Sequence, residues 1–159
     1  MASVFDVAEY ILDKAGYVST MKLQKLVFYS NALSLVCDGK ALFPEAFQAW
    51  VNGPVCPALF FEHKGKFIVG PGAFASLADT SRIGERAIAL IEHVLSVLGD
   101  FDGNELSRLT HGESPWRDAR KGCDSSDRCE AVISNDAIRS YYSSSQCTNP
   151  LFKRCISSV

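Results

Sequence analysis

Histidine and cysteine are the side chains of this 159-residue chain that could do acid–base or nucleophilic chemistry. The pKa of a histidine lies near neutrality, so His111, placed just before a Gly-Glu-Ser-Pro-Trp run, could act as a general base. With Cys37, Cys56 or Glu113 beside it, His111 would belong to an enzyme with a Cys/His or related site. We favour the simpler interpretation, in which His111 hydrogen-bonds backbone groups and orders a turn between two helices. No catalytic residue is therefore predicted.

The same residue types lack the spacing of a metal site. Structural zinc sites bring three or four ligands together. His63, His93 and His111 have no i, i+4 pairing, and the six cysteines form no C-x2-C pair. The run 52–54 (Asn-Gly-Pro) also lacks the glycine spacing of a phosphate-binding loop. We predict no metal and no cofactor.

The four cysteines late in the chain leave two interpretations open. Five residues separate Cys123 from Cys129, and seven separate Cys147 from Cys155. Disulfides persist mainly in oxidising compartments, so for a chain without a signal peptide we expect reduced, mostly structural thiols. A disulfide or a metal site among these four residues is the alternative.

Composition and charge favour a folded, cytoplasmic protein that binds no nucleic acid. The chain is 47% hydrophobic and 21% charged, with a net charge of −2, which is ordinary for one globular domain. Lys and Arg alternate with Asp and Glu, as in 117–124, and do not form the basic cluster that binds polyanions. Asp6, Glu9 and Asp13 interrupt the first apolar stretch, which is unlike a signal peptide. No apolar run approaches the roughly 18 residues of a membrane span.

Hydrophobic periodicity predicts a mainly α fold, a single compact domain of about five to six helices. Ser3 and Asp6 form a capping box for the first helix, which ends at Gly16. The second helix begins at 19–20 and ends at 38–39. It is apolar nearly all round, as a helix at the centre of a fold is.

Later signals continue this helical pattern. A third helix begins at Thr80 or Ser81 and ends at Gly99, and its wide apolar face should pack against the second helix. Three further helix starts are marked by capping residues: Asp102 with Glu105, Ser114 before Pro115, and Ser134.

A small β-hairpin is predicted near residues 47–69. Apolar and polar residues alternate over 47–52, which is the pattern of a strand. Residues 66–69 would form the second strand, just before the Gly-Pro-Gly turn at 70–72. A short helix would begin at 59–61, between the two strands.

The chain divides after Tyr142 into a helical domain, residues 1–142, and a tail, residues 143–159. The tail opens with a Ser-rich run that is typical of linkers. A short terminal segment could still dock through the apolar residues of the tail: Leu151, Phe152, Cys155 and Ile156.

Three ordered stretches stand out from this background: MKLQKLVFY at 21–29, FQAWVNGPVCP at 47–57 and LSRLTHGESPWRDAR at 106–120. They contain both tryptophans of the chain, a residue common in cores and in interfaces. Gly53 supplies a backbone conformation that other residues avoid, and Pro54 stiffens the chain after it. Polar, turn-forming and aromatic residues thus concentrate in the second and third stretches.

Together the three stretches resemble the Panacea domain of SocA-like antitoxins, and the resemblance covers residues 4–142. It implies a mainly helical domain that neutralises a toxin encoded beside it, often on phages or mobile elements. Such domains pair with unrelated toxins, so the fold does not identify the partner. Cys56 occupies a variable position of the motif, and the tail lies outside it and could hold partner specificity.

The resemblance leads to one hypothesis and two alternatives. We expect an antitoxin-like protein that binds its cognate toxin directly. Its binding surface is formed or supported by residues of the second and third stretches: Trp50, Asn52, Gly53, Pro54, His111, Glu113 and Trp116. The first alternative is a phage- or mobile-element-encoded inhibitor or adaptor of a host protein. The second is the enzyme that uses His111 with a cysteine or Glu113.

Overall fold

A computed structural model describes residues 1–126 and 128–153. Over these residues the chain forms seven α-helices and five short strands. The helices are α1 (Val4–Ala15), α2 (Thr20–Asp38), α3 (Pro57–His63), α4 (Glu85–Leu98), α5 (Gly103–His111), α6 (Ser114–Ala119) and α7 (Asn135–Tyr142). The strands are β1 (Val18–Ser19), β2 (Phe47–Trp50), β3 (Gly53–Val55), β4 (Ile68–Val69) and β5 (Val132–Ile133). The predicted mainly α domain is confirmed, with one or two more helices than expected.

Helix α2 lies at the centre of the fold, as its apolar surface predicts. It contacts α1, α4, α5 and α7, and every side chain from Leu23 to Leu35 is buried. Phe28 meets the rings of Phe47 and Tyr142 edge to face, with centroids 5.2 and 6.2 Å apart. Because a helix apolar on all sides cannot face water at low cost, the other helices surround it.

Helix α1 carries two acidic side chains that hold a long loop in place. The Asp6 carboxylate accepts hydrogen bonds from the backbone of Ser3 and from the Asp79 backbone N–H, both at 2.8 Å. The Glu9 carboxylate accepts from the N–H groups of Gly72 and Phe74, at 2.7 and 2.9 Å. Charge-assisted bonds of this kind satisfy loop amides that no strand or helix would satisfy.

The capping box at the start of α1 yields a first prediction. Ser3→Ala removes the hydroxyl that accepts from the Asp6 N–H at 3.2 Å, so we expect the free energy of unfolding to fall by about 1 kcal/mol. Urea denaturation measures this change. Ser76→Ala, at an exposed turn position, is the matched control and should leave stability unchanged. Equal midpoints for the two variants would show that the cap contributes nothing.

The predicted hairpin is present, but its strands pair differently from the expectation. β2 pairs with β3, so that Trp50 faces Gly53, and β5 joins β2 on its other edge. Residues 68–69 pair instead with β1, a strand that the sequence did not indicate. The tight turn at 51–52 brings 53–55 back onto β2. Because β3 occupies this edge of β2, residues 66–69 cannot pair there.

Helix α4 begins later than the sequence predicts. Residues Thr80–Arg82 form a separate 3-10 turn, in which the Asp79 side chain accepts from the Ser81 N–H. The α-helix starts at Glu85 with Gly84 as its N-cap, because the backbone at Ile83 and Gly84 is extended and interrupts the helical hydrogen bonds. Over the residues that the structure covers, no helix is long and apolar enough to cross a membrane.

The first part of the tail packs against the helical domain. Leu151 is fully buried, and the ring of Phe152 stacks on Tyr142 with centroids 4.5 Å apart. This agrees with the expected docking of those two residues, while Cys155 and Ile156 lie outside the described residues. The division of the chain at Tyr142 stays a prediction.

The late cysteines require a correction. Cys123 and Cys129 form a disulfide, with Cα atoms 5.9 Å apart, so they are not the reduced thiols that we expected. A Cα separation of this size is usual for a disulfide. Cys56 and Cys147 are free thiols. Across the described residues, no three His, Cys, Asp or Glu side chains are placed to hold a metal ion.

Candidate functional site

The three sequence stretches meet at the β2–β3 hairpin. Side chains from the third stretch donate hydrogen bonds to hairpin carbonyls. Ser107 Oγ donates to Asn52 O at 2.6 Å, and Trp116 Nε1 donates to Trp50 O at 2.7 Å. Arg120 Nη1 donates to Ala49 O at 2.8 Å. These bonds attach α5 and α6 to the hairpin and fix the turn at 51–52.

Gln24, in the first stretch, binds the hairpin from the opposite side. Its side-chain amide accepts from the Cys56 N–H at 2.9 Å and donates to the Cys56 carbonyl at 3.3 Å. Its Nε2 also lies 3.0 Å from Nε2 of His63. Since burial lowers the pKa of His63, the neutral ring can accept this bond. The Gln24 side-chain amide therefore bonds the backbone N–H and carbonyl of Cys56 as a neighbouring strand would.

Lys25 is buried under the hairpin turn, with only 1% of its surface exposed. Its Nζ donates to the Pro54 carbonyl at 3.2 Å, and burial lowers the pKa of its amine to about 7. Gly53 makes this approach possible. A Cβ at residue 53 would lie 2.5 Å from Lys25 Cε and 2.8 Å from Thr110 Oγ1, and the φ of +120° also favours glycine.

Glu113 is the acceptor of a second buried network. The hydroxyls of Tyr29 and Tyr142 donate to its Oε1 at 2.5 and 2.6 Å, and Asn149 Nδ2 donates to its Oε2 at 3.0 Å. Burial raises the pKa of Glu113, although the three donors oppose this effect. The network joins α2, α7 and the tail to the junction between α5 and α6.

His111 lies beside Trp116 and does not form the Cys/His site considered above. Its ring stacks on Trp116 at 4.0 Å, and its Nε2 has no hydrogen-bond partner among the residues that the structure describes. Burial, and then the charge of Lys25, lowers the pKa of His111, while the backbone of Val51 opposes the change. Burial also raises the pKa of the Cys56 thiol to about 11, which disfavours the nucleophilic thiolate. This geometry favours the role in ordering the turn.

The predicted site residues divide by exposure. Gly53, Pro54 and Glu113 are buried, so any contribution they make to binding is through support of the turn and of the helix junction. Asn52 is exposed. Trp50, His111 and Trp116 are half-buried, so part of each side chain is exposed. Their role in partner binding stays a prediction.

Trp50 also forms one wall of a cavity that the sequence did not reveal. The guanidinium of Arg128 lies 3.9 Å from the Trp50 ring centroid, and Phe60 meets the same indole edge to face at 4.8 Å. The cavity of about 300 Å³ reaches from these rings to Lys25 and His63. Residues from four separate segments line it, so no local spacing could have indicated it.

A second surface feature is a group of exposed apolar side chains at the β1–β4 ribbon. Tyr17, Phe67 and Ile68, here called the ribbon patch, are 78%, 89% and 59% exposed. The Phe67 carbonyl accepts from the Thr20 N–H at 2.8 Å, so the patch sits on ordered backbone. Its signal in the sequence is the apolar run 67–69, which follows the polar residues 62–66.

The fold and the three packed stretches define the class of this protein. The family model for the Antitoxin SocA-like Panacea domain matches residues 23–117, more than half of the chain. The chain therefore belongs to the SocA-like Panacea domain family.

Among individual proteins, the chain is similar to Antitoxin SocA of Caulobacter vibrioides (strain NA1000 / CB15N), with 29% identity over 124 residues. The match covers 69% of this chain, and the chain spans 66% of the length of that antitoxin. No solved structure gives a significant match.

Proposed function

We propose that this protein is an antitoxin that neutralises a cognate toxin by binding it directly in the cytoplasm. Membership of the SocA-like Panacea domain family is the observation that carries the proposal. We expect the adjacent gene to encode the toxin. In this proposal, no nucleic acid, metal or cofactor takes part in the binding. The protein acts by occupying a surface of the toxin or by delivering it for removal, and not by catalysis.

The ribbon patch is the first surface that we assign to the toxin. Large apolar side chains exposed on a short ribbon are candidates for a protein-binding site. Aromatic residues also dominate the energetics of protein interfaces. Tyr17 and Phe67 provide two such rings on a backbone that is ordered before binding, so little backbone entropy is lost when a partner covers them.

The turn at 51–52 is the second part of the proposed surface. Asn52 is exposed and Trp50 is partly so, and the bonds from Ser107 and Trp116 hold the turn rigid. Thr20 and Met21, which directly follow β1, line the same cavity as Trp50 and Asn52. The turn and the ribbon patch therefore flank a common region of the surface.

Co-expression with the product of the adjacent gene tests the proposal. We expect expression of that gene alone to be toxic and its co-expression with this chain to be tolerated. The two proteins should then co-purify as a complex. An adjacent product that is harmless alone and does not co-purify would contradict it. Specific capture of a host protein in place of a toxin would instead support the inhibitor or adaptor hypothesis.

The ribbon patch has its own mutational test. The double variant Phe67→Ser with Ile68→Ser should fold normally, since both side chains are exposed, and should weaken the toxin complex at least about tenfold. Val132→Ser changes a residue of equal exposure to Ile68, at 59%, on a different strand, and is the matched control. Dissociation constants from calorimetry or surface plasmon resonance measure the effect. Unchanged affinity in the double variant would remove the patch from the interface.

A further inference from the structure

The cavity beside Trp50 combines an aromatic wall with a buried amine. Trp50 and Phe60 form the wall, and Lys25, His63 and Arg128 also line the cavity. At about 300 Å³ it is at the small end of pockets that hold organic ligands. This region is called the Lys25 pocket below.

The electrostatic character of the Lys25 pocket is one-sided. It receives side chains from Lys25, His63 and Arg128, and none of the described residues that line it is acidic. Of the described residues, only the Pro54 carbonyl accepts a hydrogen bond from Lys25 Nζ. An ammonium has three N–H donors, so Lys25 keeps donors for a ligand.

We propose that the Lys25 pocket binds a carboxylate carried on a flat apolar group. The carboxylate would accept from Lys25 Nζ, and the planar Arg128 guanidinium at the mouth can pair with a carboxylate through two parallel bonds. The apolar group would lie beside the rings of Trp50 and Phe60, next to the Arg128 guanidinium that stacks on Trp50. A singly charged anion suits this site better than a phosphate dianion, because the cost of removing charge from water grows steeply in a pocket walled by aromatic rings.

Protonation of Lys25 links this binding to pH. Burial lowers the pKa of the free amine to about 7, and a bound anion would raise it, so binding takes up a proton. Among the described residues, His63 on α3 and Arg128 also line the pocket, and the charge of Lys25 also acts on His111 of α5. Both histidines have lowered pKa values and are neutral above pH 7. Affinity should therefore be highest below about pH 7 and fall as the pH rises.

Phenylacetate and its neutral analogue phenylacetamide are the probes for this proposal. Calorimetry with the full chain at about pH 6.5 should give a dissociation constant for phenylacetate on the order of 1 mM or tighter. Phenylacetamide should bind at least about tenfold more weakly, since it lacks the charge. The indole N–H resonance of Trp50 should shift on binding. Equal affinity for the two probes, or no binding of either, would overturn the proposal.

Three variants assign the binding to this pocket. Lys25→Met should weaken phenylacetate binding at least about tenfold and abolish its dependence on pH above 7. Arg128→Gln, at an exposed position, should weaken it about three- to tenfold. Lys121→Met, an exposed lysine elsewhere, is the control and should bind as the unmodified chain does. Unchanged affinity in both Lys25→Met and Arg128→Gln would overturn the assignment.

The carboxylate could be a free small molecule or a group on the protein partner, and a competition experiment separates these sources. If the partner provides it, saturating phenylacetate should weaken the toxin complex. If a small molecule provides it, the complex should be unaffected, and native mass spectrometry should find an organic acid bound to the purified chain. Absence of both results would overturn a natural role for the pocket. The phenylacetate measurements need no toxin, so their failure would leave the proposed antitoxin function standing.

Discussion

Replacing Glu113 by alanine is expected to lower the free energy of unfolding by about 3–5 kcal/mol. The variant leaves Tyr29 OH, Tyr142 OH and Asn149 Nδ2 without their acceptor, and all three groups belong to buried residues. Each buried donor that loses its partner costs about 1–3 kcal/mol. The raised pKa of Glu113 shows that burying the carboxylate is itself costly, and removal of this cost offsets only part of the loss. Urea denaturation at pH 7 measures the change.

Two matched variants separate the network from the charge. Glu113→Gln keeps an oxygen that can accept from both tyrosines, so the free energy of unfolding should fall by only about 1–2 kcal/mol. This variant should therefore be clearly more stable than Glu113→Ala. Tyr142→Phe removes one donor with its ring unchanged and should cost about 1 kcal/mol. If Glu113→Ala loses less than about 1 kcal/mol, the network does not hold the helix junction as described.

Lys25→Met is the second large expected effect, and it appears in the pH dependence of stability. The lysine pKa is about 7 in the folded chain and 10.5 when unperturbed. Between these values the unfolded chain binds the proton and the folded chain does not. The stability of the unmodified chain therefore rises as the pH increases. Methionine does not titrate, so the unmodified chain should gain about 3 kcal/mol relative to the variant between about pH 7 and pH 9.5.

At each pH, the difference in free energy of unfolding between the unmodified chain and Lys25→Met separates the effect of Lys25 from that of other titrating groups. The buried Cys56 thiol has a raised pKa and so lowers stability at the alkaline end, but it does so equally in both proteins. Lys121→Met, at an exposed position, should show no such slope. A difference that stays flat from pH 7 to pH 9.5 would mean that the native Lys25 amine keeps an ordinary pKa.

Both effects bear on the partner surface that we propose. Lys25 and Glu113 lie beneath the turn at 51–52 and the α5–α6 junction, where the predicted site residues are found. Losing either one should loosen these segments and leave the ribbon patch in place. Glu113→Ala and variants of the patch should therefore weaken toxin binding by different routes, with and without a loss of stability.

The helices were predictable because their signals are local. The capping boxes at Ser3 and Asp102 are observed as predicted, since a cap depends only on residues three positions apart. The buried course of α2 also follows from its own apolar surface. The start of α4 was placed too early because apolar periodicity does not show where an extended pair, Ile83 and Gly84, breaks the helix.

The sequence by itself determined the helical domain, the central position of α2 and the three stretches that mark the family. Each of these features follows from residue types and from spacings of a few residues along the chain. Only the tertiary structure decided what those stretches do to one another: the Glu113 network, the burial of Lys25, the exposed ribbon patch and the Cys123–Cys129 disulfide. These features join residues far apart in the chain or depend on which strand edge is already filled. Their energies come from partners that exist only when the whole fold has formed.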